Sequence, residues 1–103
     1  MHTVDPRQKA REIAGKFDCR DNEELLEKIF DAYKIDLDYW PFQDGFSGML
    51  WFPMTHKPTI VVNTKDSLDK QRYTKARELA RFFLGYENCN KAQAELFAEE
   101  LAC

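Results

Sequence analysis

Histidine is scarce in this chain: there are two, His2 and His56, and neither has a partner at metal-ligand spacing. No Ser-His or Cys-His arrangement is evident either, so nothing supports an ordinary nucleophilic triad. The three cysteines, Cys19, Cys89 and Cys103, form no CxxC pair and no even set. They read as reduced thiols rather than as a disulfide framework. Four glycines and four prolines are too few for a flexible linker, so residues 1–103 are read as one domain. No apolar run approaches the roughly 20 residues that span a bilayer. The stretch MHTVDPRQKAREIAGKF carries no continuous apolar signal core, so a cytosolic protein off the membrane is expected. Nor is there an excess of positive charge. Fifteen basic and 18 acidic residues leave a net charge of −3, which argues against a general nucleic-acid binder.

Apolar and aromatic residues are plentiful. Hydrophobic side chains make up 44% of the chain, with eight Phe, four Tyr and two Trp. Asp5-Pro6 is a helix start, a capping Asp followed by Pro at the first helical position. Ala10, Ile13, Ala14 and Phe17 follow at helical spacing. A second helix opens at Asp21 or Asn22 and carries Leu25, Leu26, Ile29, Phe30 and Tyr33 as one stripe. The period then changes. Ile35, Leu37 and Tyr39 alternate with Asp36 and Asp38, a half-exposed strand that Pro41 ends or confines to an edge. QDGFSG is a turn, MLWF a second strand, MTHKP a turn and TIVVN a third strand. Two hairpins in sequence predict an antiparallel meander. A long helix follows from Ser67 to Leu84, with Gly85 placed to end it. A last helix runs from about Asn90 to Leu101. The order predicts an α+β fold, a small three-stranded antiparallel sheet packed with about four helices.

The long helix contains KARELARFFLG, in which Arg77-Glu78-Leu79-Ala80-Arg81 has the spacing of HExxH with arginine at both histidine posts. Around it stand Ser47-Gly48, Ile60-Val61-Val62-Asn63, Arg72-Tyr73-Thr74 and Ala94-Glu95-Leu96-Phe97-Ala98. In that order these pieces resemble the ImmA/IrrE family of zinc metallopeptidase-like proteins, over roughly residues 22–101. The resemblance implies a zincin-like minimal metallopeptidase scaffold. It also implies that members act beside helix-turn-helix repressors in mobile elements or stress responses.

This chain departs from that pattern where the chemistry lies. Arg77 and Arg81 take both imidazole positions, and a guanidinium keeps its proton and offers no lone pair to a dication. Glu95 stands where the family usually has Asn, and Lys91, Ala92 and Gln93 precede Ala94 with no acidic ligand. Glu78, the relic of the general base, has no metal-bound water to deprotonate. No metal or other cofactor is expected.

Two readings of the arginines stay open: ion pairs with Glu95, Glu99 or Glu78 that pin the last helix to the long one, or solvated surface charges. Lys65, Lys70, Arg72, Lys75 and Arg77 could meet phosphates or an acidic protein, or simply form a solvated helix start diluted by Asp66 and Asp69. The sheet aromatics either cover the core or, alternating as Trp40 with Leu50 and Phe52, form an exposed patch for a partner. Trp40, Phe42, Trp51 and Lys75 are the candidate partner-binding residues.

The expected function is a non-catalytic regulator encoded by a phage or mobile element, which sequesters or blocks a partner protein. The alternative is a metal-dependent peptidase with atypical ligands acting on a repressor-type protein. Nucleic-acid binding through the basic helix start is a weaker third reading.

Overall fold

The computed structural model describes residues 5–102 apart from 55, 56, 86 and 88. His2, His56 and Cys103 therefore lie outside the described residues. Four helices and three strands follow in the order α1 Pro6–Ala14, α2 Asn22–Ala32, β1 Asp36–Trp40, β2 Gly48–Trp51, β3 Thr59–Asn63, α3 Leu68–Leu84 and α4 Lys91–Ala102.

The helix starts lie where polar side chains can satisfy the first exposed N–H groups. Asp5 accepts from the Arg7 N–H, Asp21 from Glu24 and Ser67 from Lys70. Asn90 and Gln93 cap α4 reciprocally: Asn90 Oδ1 accepts from the Gln93 N–H at 2.8 Å, and Gln93 Oε1 from the Asn90 N–H at 3.0 Å. Gly85 ends α3 at φ 93°, a conformation that costs a side-chain-bearing residue steric strain.

The sheet is mixed, not antiparallel throughout, which corrects the meander. β2 and β3 form the expected antiparallel hairpin, but β1 pairs in parallel with β3, giving the order β1-β3-β2. The reason lies in the strands and their connection. β3 carries no charge and, unlike β1 and β2, is buried along nearly its whole length, so it takes the centre. β1 carries two exposed aspartates and stops at Pro41, which suits an edge. The segment 41–47 crosses the end of β3, where the Thr64 N–H bonds Trp40 O at 3.0 Å and the Asn63 N–H bonds Ser47 O at 2.8 Å.

Asn63 holds this crossing together. Its Nδ2 donates to Phe46 O at 2.7 Å and its Oδ1 accepts from the Lys65 N–H at 3.0 Å. With 2% of its surface exposed, it is a buried polar side chain with both ends satisfied.

Packing places the helices against the sheet face that bears Leu50, Ile60 and Val62, all buried. α3 lies on β2 and β3, α4 lies on α3, and α1 closes over α4. The α3–α4 seam is apolar, with Leu79 and Ala80 buried with Ala94, Phe97, Ala98 and Leu101 in one core. Phe83 stacks near Phe97 at 6.2 Å and meets Tyr33 edge-on at 4.8 Å. β2 approaches the sheet centre and α3 so closely that Gly48 has no room for a side chain. A Cβ there would stand 2.5 Å from Val61 O and 2.7 Å from Thr74 Cγ2.

Candidate functional site

The RExxR segment lies in the C-terminal half of α3, with Leu79 and Ala80 in the core and Glu78 only 3% exposed. Arg81 reaches back one turn, its Nε 3.6 Å from Glu78 Oε2, within ion-pair range but too long for a hydrogen bond. Arg77 lies over the Tyr73 ring at 5.7 Å, and both guanidinium groups act on the same carboxylate. The Leu50 backbone N–H on edge strand β2 also favours the ionised carboxylate, so Glu78 links α3 to the strand beside it. Burial nevertheless dominates and pushes the Glu78 carboxyl above its ordinary value, against the pull of Arg81, Arg77 and the Leu50 amide.

Cys89, invisible to motif reading, completes this corner. Its buried thiol is pushed up chiefly by burial, with Arg81 drawing it down and Glu78 pushing it up. Nothing in its spacing relates it to Glu78, so its position arises from the return of the chain between α3 and α4.

Zinc, which the resemblance implies, does not fit these residues. Two guanidinium groups occupy the posts where donors would stand, and the carboxylate between them is already engaged with cations. Among the described residues no group of three His, Cys, Asp or Glu side chains is placed to hold a metal ion.

The arginines do not pin α4 to α3 through Glu95 or Glu99. Glu99 meets Arg7 of α1 at 2.9 Å and Glu100 meets Arg11 at 2.6 Å, so the charged clasp joins α1 to α4. Glu95 is half-buried and has no ion pair among the described residues. Two of the five cations of the basic helix start are paired locally, Lys70 with Asp66 and Arg72 with Asp69, each at 3.7 Å.

The four candidate partner-binding residues divide between three places. Register puts Trp40 opposite Asn63 and Trp51 opposite Thr59, so both indoles stand on the sheet face turned away from the helices. They are 61% and 53% exposed. Asp36, Asp38, Val61 and Met49 share that face, the first two on β1, the third on β3 and the last on β2. Leu50 does not, because it pairs with Ile60 and is buried on the inner face, so the alternation of Trp40 with Leu50 is corrected to Trp40 with Trp51 and Met49. Phe42 is half-buried and packs on Phe46 at 4.6 Å within the crossing segment. Lys75 lies on the helix side, 5.4 Å over the Tyr39 ring. It lines a cleft of about 190 Å³ with Glu27, Phe30, Leu37 and Arg72.

No helix among the described residues is long and apolar enough to cross a membrane. Comparison with protein-family models, with curated proteins and with solved structures gives no significant match to this chain.

Proposed function

We propose that this protein is a non-catalytic, protein-binding regulator on a zincin-like, metallopeptidase-like scaffold, and that it works by sequestering or blocking its partner in a phage or mobile-element setting. The relic helix serves the fold: Glu78 binds β2 to α3, and its two arginines balance a buried carboxylate instead of a metal. Recognition falls to the uncovered sheet face. The observation that carries this reading is that both tryptophans of the chain, together with Met49, stand exposed on one sheet face that no helix or strand among the described residues covers. Large aromatic side chains of this kind dominate binding energy at protein interfaces.

The test is a capture experiment from host cells with wild type and a Trp40→Ser/Trp51→Ser variant of equal thermal stability. A specific partner held by wild type and lost by the variant supports the reading. Equal capture by both, or stoichiometric zinc bound at Arg77 and Arg81 in purified protein, overturns it. Arg77→His/Arg81→His should fail to recover zinc unless an acidic third ligand also lines the site.

A further inference from the structure

The uncovered sheet face carries a chemical preference as well as exposed area. Its three ranks are Asp36–Thr59–Trp51, Asp38–Val61–Met49 and Trp40–Asn63. Both formal charges in these ranks are negative. Lys57 approaches Asp36 at 3.8 Å, but both side chains are more than half exposed and the contact is weakly held. Asp38 accepts a hydrogen bond from the adjoining Tyr39 N–H at 3.0 Å and has no cation beside it among the described residues. The tryptophans stand on the two edge strands, and the faces of their rings are regions of negative potential. Between Asp36, Asp38, Trp51 and Thr59 the surface forms a shallow depression. Carboxylates on one side and an indole on the other form a receptor for a planar, weakly hydrated cation.

We infer that this face docks a basic segment of the partner protein, its arginine side chains seated against Asp36, Asp38 and the two indoles. The inference rests on the protein-binding reading and adds the partner's chemistry to it. A second copy of this chain is a poor occupant, because a twofold contact through the face brings Asp36 and Asp38 of both protomers together. Nucleic acid is poorer still, since its phosphates meet the same two carboxylates.

Trp40 and Trp51 are the chain's two tryptophans, so intrinsic fluorescence of the intact protein reports this face directly. The probe is a synthetic peptide alternating arginine with valine, and the control peptide carries glutamate in place of arginine. The arginine peptide should shift the emission, and raised salt should weaken it. Asp36→Asn/Asp38→Asn should bind at least about tenfold more weakly, while Glu23→Gln/Glu27→Gln on the helix side should change binding less than about twofold.

Equal weakening by both double variants would reduce the effect to general acidity and overturn the inference. So would preference for the glutamate peptide, a concentration-dependent dimer abolished by Trp51→Ser, or partition of the protein onto phosphatidylserine vesicles. If the aspartate variant still captures the cellular partner and the tryptophan variant does not, the protein-binding reading stands and the basic-partner inference falls.

Discussion

The two faces of the sheet treat charge in opposite ways. On the helix side a carboxylate, Glu78, is buried, yet two arginines and a strand amide meet it inside the molecule. On the outer side Asp36 and Asp38 stand beside two indoles with little to balance them. The inner carboxylate is met by cations within the molecule, whereas the two outer aspartates and the rings beside them are open to a partner of opposite charge. Stability resides in the inner face, recognition is proposed for the outer one, and the contrast can be broken from either side.

The largest effect should come from the inner face. Gly48→Ala forces a methyl group onto the Val61 carbonyl and should cost about 3 kcal/mol by overpacking, measured by urea denaturation. A loss below about 0.5 kcal/mol, the range of ordinary surface changes, would mean that the strand relaxes freely there.

Next is Asn63→Ala, which leaves Phe46 O and the Lys65 N–H without their partners and should cost about 2 kcal/mol. The crossing segment should loosen with it, read as faster amide exchange over residues 41–47.

Glu78 gives a pH signature. Its folded value is raised, so the native state holds the proton more tightly than the unfolded chain. Its contribution to stability therefore improves as pH falls from neutral through that raised value toward the ordinary carboxylate value of about 4.3. The stability of wild type relative to Glu78→Gln should rise as pH falls from neutral toward the ordinary carboxylate value. A constant or falling difference would show that the arginines outweigh burial.

The smallest effects belong outside the core. Trp40→Ser/Trp51→Ser should change stability by no more than about 0.5 kcal/mol while abolishing partner capture. Arg81→Ala and Glu95→Ala should combine additively to within about 0.5 kcal/mol, since the ion pair of Arg81 among the described residues is with Glu78. Measurable coupling between them would restore the idea of a charged pin between α3 and α4.

Much of this arrangement was legible along the chain because its causes are local. Asp5-Pro6, Asp21, Ser67 and Gly85 mark helix ends by chemistry within a turn of themselves, and helical spacing brings Arg81 onto Glu78. The parallel partner of β1 was not legible. Strand order depends on how the segment 41–47 crosses β3, and that crossing is held by Asn63, whose side chain meets Phe46 far back in the sequence. The error at Leu50 has the same source. Alternation gives two faces to each strand, but only register says which face of one strand joins which face of the next. Arg7 and Glu99 are separated by almost the whole chain, so no spacing rule could pair them. Cys89 entered the Glu78 corner without any motif.

The parallel pairing of β1 with β3 also orders the events of folding. β2 and β3 are joined by a short connection and can zip as a local hairpin, whereas β1 has no strand to join until β3 exists. Closing that longer loop costs entropy before any ladder bond repays it. The acidic edge strand is thus expected to be the last to lock and the first to release. The strand that bears Asp36, Asp38 and Trp40 would then be the part of the sheet most able to adjust when something binds.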